Sequence, residues 1–224
     1  MNHTEFRFFD ILVALFVAVL LISNIASTKI LTLWKFTFDG GTLLFPMSYI
    51  FGDILTEVYG FRRSRRVIWL GFFSALLMSF VLFIVQILPP AVDWQNQSAY
   101  ERILGFIPRI VLASLLAYFA GEFSNSIVLS RLKILTRGKY LWTRTIGSTI
   151  IGEGIDTMIF CTIAFSGILP KQVFWAVLVS NYIFKCAVEI LLTPLTYQIV
   201  GFLKRKENTD VYDYGVKYNP FQII

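Results

Sequence analysis

A chain of 224 residues that is 56% hydrophobic and 15% charged falls well short of the about 25% charged content of soluble domains, and its mean hydropathy is +0.68. The net charge of +6 sits in short clusters between apolar runs, the pattern that sets membrane topology and argues against nucleic acid as a partner. The only histidine, His3, precedes the first apolar run, which excludes histidine-based catalysis and an intramembrane zinc site. Cys161 and Cys186 fall inside apolar runs with no CxxC motif, as small buried residues.

Hydropathy and helix breakers predict six spans and an all-α polytopic membrane protein. The first span runs from about Phe8 to Leu33 and stops at WKFTFDGG. It is too long for a signal-peptide core and lacks a small-x-small cleavage site, so it reads as a helix. The second covers Thr42 to Gly60, the third Val67 to Leu88 before Pro89-Pro90, and the fourth Ile103 to Ser130 after the polar AVDWQNQSAYER loop. RLKILTRGKYLWTR leads to the fifth, Thr145 to Ile168, and the sixth spans Val173 to Leu203. Residues 1–203 thus read as one transmembrane transport domain and 204–224 as a flexible, polar cytoplasmic tail, with no strand alternation. Pro46 and Pro194 fall inside spans two and six, where proline removes a backbone bond and kinks a helix.

Lys and Arg in the short loops orient the bundle. Fourteen of them, in Arg7, the Arg62–Arg66 cluster, Arg131–Arg144 and Lys204–Lys217, fall on one side, against Lys35, Arg102 and Lys171 on the other. Both termini are therefore predicted to be cytoplasmic, and FRRSRR reads as a cytoplasmic anchor. Within the spans remain Lys29, Arg109 and Lys185 and six carboxylates, Asp53, Glu57, Glu122, Glu153, Asp156 and Glu189. A charge at the bilayer centre costs roughly 2.5–3.5 kcal/mol, so six unpaired ones would oppose insertion by on the order of 15 kcal/mol. They must pair, face a wet cavity or meet a ligand, and the excess of acids favours a donor-rich or cationic ligand.

Depth separates the acids. Asp53, Glu122 and Glu153 each stand nine residues from Arg62, Arg131 and Arg144 respectively, roughly 13 Å into a hydrocarbon core about 30 Å thick. Glu57 lies nearer the basic edge, where an ion pair with Arg62 or a neighbouring Arg competes evenly with a cavity role. Polar residues recur at helical spacing: Tyr49, Asp53, Thr56 and Glu57; Ser114, Tyr118, Glu122 and Asn125; Thr149, Glu153, Asp156 and Thr157; Asn181, Lys185, Glu189 and Thr193. Such stripes have no use against lipid, so spans two, four, five and six face one interior. Lys185 and Glu189, four apart, either neutralise one another or contact ligand. Lys29 and Arg109, near the external edge, read as a snorkelling residue and an anchor, whereas Asn24 lies deeper. Ser148-xxx-Gly152 provides the spacing of a close helix contact. The candidate binding set is Asn24, Asp53, Glu57, Glu122, Asn125, Glu153, Asp156, Asn181, Lys185 and Glu189, with no catalytic residue, metal or cofactor assigned.

No GxxxxGK[ST], GxSxG or HExxH sequence occurs, so the chain has no ATPase of its own and none of the commonest serine or zinc chemistry. Three readings of the residues stand: a solute transporter, favoured by bent helices beside midplane polar groups; a substrate-capturing subunit powered by separate ATPase components; and an intramembrane aspartyl hydrolase using Asp53 and Asp156. FPMSYIFGDILTEVYG, closely followed by RRSRRVIWLGF, resembles bacterial queuosine precursor transporters of the vitamin uptake transporter family. So do SNIASTKI in span one and AYFAGEFSNSIVLSRLKILTRGKYLWTRTIGSTIIGEGIDTMIF in spans four and five. The resemblance covers most of residues 10–200. It implies a six-helix inner-membrane protein, distantly similar to the substrate-binding subunits of energy-coupling-factor importers, without implying an ATPase partner. It also implies uptake of 7-cyano-7-deazaguanine and 7-aminomethyl-7-deazaguanine. A guanine-like edge offers adjacent N–H donors that a carboxylate accepts as a pair, and aromatic rings stack on such a base.

Overall fold

The computed structural model describes residues 6–26, 28–33, 36–104, 108–167 and 170–221; His3, Lys35 and the side chain of Arg109 lie outside these. Helix α1, Phe9–Ala26, buries Leu12, Phe16, Leu20 and Ser23, one face of a 3.6-residue period. It stops seven residues short of the expected Leu33. Thr28 N–H and Lys29 N–H bond the carbonyls of Ile25 and Ala26, three residues back, and the Thr28 hydroxyl donates to Ile25 O at 2.8 Å. These tight turns compete with the helical ladder and end it. Ile30–Leu33 and Phe36–Asp39 then pair as antiparallel strands β1 and β2, where the sequence showed no strand alternation. Four residues are too few for a hydropathy pattern to separate a strand from the end of an apolar helix.

A 3-10 turn, Gly40–Leu43, leads into α2, Phe45–Tyr59. Pro46 sits in the first turn of α2, where its missing N–H costs no bond. It therefore starts the helix and does not kink it, contrary to the sequence expectation; Pro194 does lie inside a helix. From Gly52 onward every residue of α2 is buried, so α2 is the axis of the fold. At fifteen residues it is about 22 Å long, shorter than a full crossing. Gly60 adopts φ +84°, a conformation that glycine tolerates and that turns the chain sharply into α3.

Helix α3, Phe61–Ile87, begins six residues before the expected span, and FRRSRR forms its first turns. The short α4, Gln97–Ile103, precedes α5, Pro108–Leu135; α6, Leu141–Phe165, and α7, Lys171–Lys206, complete the chain's helices. Five of them, α1, α3 and the greater parts of α5, α6 and α7, are long and apolar enough to cross a membrane. Along α3, Leu70, Phe73, Leu77, Phe80 and Phe83 stay exposed, an outer face suited to lipid. Packing joins α5 to α6, α6 to α7, α7 to α2 and α2 to α5, closing a ring of four; α1 and α3 lie outside it, against α2 and, for α3, α5.

Residues 207–221 do not form the flexible tail expected from their polarity. They fold back on the end of the bundle where α1, α3 and α6 begin and α2, α5 and α7 finish, called here the tail end. Glu207 accepts the backbone N–H groups of Arg7 and Phe8 at 3.0 and 2.7 Å, ahead of α1. Asp213 Oδ2 accepts from Phe61 N–H at 2.9 Å and from the Ser130 hydroxyl at 2.6 Å. Arg65, 3% exposed, grips the carbonyls of Lys217 and Asn219, and the Trp69 indole N–H donates to Pro220 O at 2.8 Å. Replacement Asp213→Ala removes a cap from α3 and leaves a buried N–H unmet. It is expected to lower stability by about 1–2 kcal/mol, read as a lower midpoint when the detergent-purified protein is heated.

Candidate functional site

The ring of α2, α5, α6 and α7 turns its polar stripes inward, and small residues set how closely the stripes approach. Helices α5 and α6 meet at Gly121 and Gly152. A Cβ on Gly121 would stand 2.7 Å from Asp156 Cβ and 3.0 Å from the Gly152 carbonyl, and one on Gly152 would stand 2.8 Å from Asn125 Cβ. The ring of Tyr49, from α2, fits against the same two glycines. Gly52 plays a parallel part between α2 and α5, because the carboxylate of Glu122 occupies the space that a side chain there would need.

Five carboxylates meet in this interior. Asp53 and Glu122 are 0% exposed, Glu153 and Glu189 1%, and Asp156 3%. One ammonium reaches them. Lys185 Nζ donates to Asp156 Oδ2 at 2.6 Å and stands 2.9 Å from Glu153 Oε2. The sequence left Lys185 and Glu189 as potential i, i+4 partners; in the structure Lys185 reaches across to α6 instead. Asn125 Nδ2 donates to Asp53 Oδ1 at 2.6 Å. Neither oxygen of Glu122 or of Glu189 has a hydrogen-bond partner among the described residues, nor has Asp53 Oδ2, Asn125 Oδ1 or the hydroxyl of Thr149 or Thr157. Buried polar atoms are ordinarily satisfied, and here the described residues leave acceptors without donors.

Three of the predicted binding residues stand apart from this cluster. Asn24, on α1 outside the ring, donates to Leu20 O at 3.0 Å. Asn181 is half-buried on α7, one turn beyond Lys185. Glu57 is 0% exposed and fully engaged at the tail end. Arg144 forks onto it, Nη2 to Oε1 at 2.7 Å and Nε to Oε2 at 3.1 Å. Lys204 Nζ reaches Oε1 at 2.6 Å, and Lys133 Nζ lies 3.6 Å from the same oxygen. Asp210 links the two lysines at 2.6 and 2.9 Å. Burial alone would push the Asp210 carboxyl up, but the hydrogen bonds from Lys133 and Lys204 hold it below its usual value.

Loop counting assigned Lys133, Arg144 and Lys204 to the basic surface and so missed their inward role. A signal was present. Lys133 continues the phase of Glu122, Ser126 and Ser130, and Lys204 continues that of Lys185, Glu189, Thr193 and Thr196. An aspartyl-protease-like dyad is not formed, since Asp156 is bound by Lys185 and Asp53 by Asn125, whereas that chemistry needs two aspartates sharing a proton.

The Lys185 bridge carries a stability expectation independent of any ligand. Lys185→Met leaves two buried acids without their cation, a loss of about 3–5 kcal/mol. Adding Asp156→Asn and Glu153→Gln is expected to recover part of the lost thermal midpoint. Full additivity of the losses would show that the three groups are not coupled.

Comparison with known proteins bears on these same helices. Residues 39–199 match the family described as "Putative vitamin uptake transporter". The chain is similar to a "Probable queuosine precursor transporter" of Bacillus subtilis strain 168, 34% identical over 188 residues, which are 84% of this chain and 82% of the relative. A protein of Haemophilus influenzae with the same description is 31% identical over 163 residues, 71% of this chain and 67% of its own. The queuosine precursor transporter of Escherichia coli K12 is 30% identical over 125 residues, 56% and 54% of the two chains. No solved structure matches.

Proposed function

This chain belongs to the "Putative vitamin uptake transporter" family, and from that premise we propose that it imports queuosine precursors, 7-cyano-7-deazaguanine and 7-aminomethyl-7-deazaguanine, through the bacterial inner membrane. It is a multi-pass membrane protein of a transporter family, not an enzyme. In our reading it crosses the membrane six times, α2 completing its crossing with the β1–β2 hairpin and the 3-10 turn that precede it. Irregular backbone at membrane depth is tolerated where protein buries it, and Gly40, Gly41 and Thr42 are buried. The clustering of Lys and Arg at the tail end supports a cytoplasmic N and C terminus.

The observation that carries the substrate reading is the pair Glu122 and Glu189: buried carboxylates, on opposite members of the helix ring, whose oxygens meet no donor among the described residues. The two adjacent N–H donors of a guanine-like edge match one such carboxylate. The second, or Asp53 Oδ2, suits the cationic aminomethyl group. Tyr49, already wedged between Gly121 and Gly152, offers a ring face for stacking. Asp53, Glu122 and Glu189 are the residues assigned to substrate, with Asn125 and Lys185 fixing the acids beside them.

Cells unable to synthesise the precursors provide the test. Wild-type protein is expected to restore uptake of labelled 7-cyano-7-deazaguanine. Glu122→Gln and Asp53→Asn are expected to lower uptake by about tenfold or more at equal expression, the effect of losing one charge-assisted contact. Absence of uptake by well-expressed wild-type protein would reject the substrate. Uptake by purified protein in liposomes free of ATP is also expected; activity in cells alone would point to a substrate-capturing subunit.

A further inference from the structure

Between the acid cluster and the tail end, each of the four helices of the ring carries a column of buried hydroxyl side chains. Thr56 of α2 stands 3.1 Å from Ser126 of α5, and Ser64 of α3, outside the ring, closes against both at 2.8 and 3.1 Å; all three are 0–1% exposed. On α6 the buried Ser148 and Thr145 follow Thr149, and on α7 Thr193 and Thr196 follow Glu189. The columns end on Glu57, which draws Lys133 from α5, Arg144 from α6 and Lys204 from α7 onto a residue of α2. One carboxylate thus ties all four members of the ring at one level.

A permanent seal does not need such chemistry. Apolar side chains of similar volume usually close a helix bundle at least as stably as a buried ion network. Ionic partners differ in that each can be hydrated when the helices part, so the closure is reversible. The network is also built at the wet edge: the side chains of Lys204 and Asp210 are 22% and 42% exposed. Over it lies a non-helical segment held by few bonds to each helix. Asp210 joins Lys133 and Lys204, Val211 N–H bonds Val58 O, and Asp213 ties the start of α3 to Ser130.

We propose that Glu57, with Arg144, Lys204 and Lys133, is the gate of the solute route at the tail end, and that residues 207–221 are the strap that latches it. The proposal rests on the transport reading, but its test does not require the substrate to be the one named above. Glu57 is then a gating residue, distinct from Glu122 and Asp53, which meet the solute.

Thr149→Cys, in protein whose Cys161 and Cys186 are replaced by alanine, places one thiol on the buried polar stripe of α6, between Glu153 and Arg144. Its reaction with a membrane-impermeant maleimide is measured in vesicles of both orientations. With the gate intact the thiol is expected to resist labelling from either face. Glu57→Gln, and more mildly Asp210→Asn, are expected to speed labelling about tenfold, the effect of losing one charge-assisted bond of the closed form, and only from the face on which a C-terminal tag is accessible. Unchanged labelling in both variants, or acceleration from the opposite face, overturns the gate. Asp210 lies at the exposed edge, so its variant keeps the test valid even where Glu57→Gln fails to fold. Accelerated labelling without uptake of 7-deazaguanines would reject that substrate and leave the gate standing; uptake without accelerated labelling would do the reverse.

Discussion

A carboxylate buried among apolar helices has to be met by a donor, and the rest of this structure follows from how that demand is answered at two levels. At the tail end Glu57 is answered in full, by a forked Arg144 and two lysines. One helical turn away, the answer is incomplete: of five acids, Lys185 meets two, Glu153 and Asp156. Both levels use the same four helices, so the difference is one of side-chain supply and not of architecture. Breaking a buried ion pair by removing one partner costs about 3–5 kcal/mol, which makes the first level a strong constraint on how α2, α5, α6 and α7 can move apart. The second level also joins helices, α7 to α6 through Lys185 and α5 to α2 through Asn125, but Glu122 and Glu189 meet no donor among the described residues.

Close backbone approach is what brings the acids together. Gly121 and Gly152 let α5 and α6 touch, Tyr49 fills the angle between them, and Gly52 leaves room for the Glu122 carboxylate. The same small residues limit what the interior can become. A side chain at Gly52 would displace Glu122 and fill the space between α2 and α5. Packing density inside proteins is high enough that a single methyl group is felt. Positions that look like featureless packing glycines in the sequence therefore set the geometry of the charged groups around them.

Much of this was legible in the sequence because a helix projects every third or fourth residue to one side. The stripes through Asp53, Glu122, Glu153 and Glu189 identify the interior faces without knowledge of the packing order, and all four acids are buried there. What periodicity cannot give is the partner across the gap. Lys185 is equally placed for Glu189 on its own helix and for Asp156 on α6, and only the α6–α7 packing decides for Asp156. The same limit explains Arg144 and Lys204, which loop counting assigns to the surface. Local backbone chemistry accounts for the first helix, cut at Ala26 by Thr28. The tail is a different case. Its residues are polar, and they are ordered by capping backbone groups of α1 and α3, a demand that composition does not record.

The two ends of the molecule are consequently held by different forces. The ion pairs of Lys133, Arg144, Lys185 and Lys204 fall either in the acid cluster or at the tail end. At the opposite end the β1–β2 hairpin packs on the 3-10 turn, which packs on α1 and α2, with backbone bonds such as Gly40 N–H to Lys29 O at 2.7 Å. Dispersion and backbone hydrogen bonds of this kind are individually small, so that end is held by many weak contacts. A network centred on one carboxylate instead fails as a unit once its partners are hydrated. Under the proposed gate, the tail end can open as a unit without disturbing the backbone bonds of the hairpin end, as alternating exposure of a solute route requires.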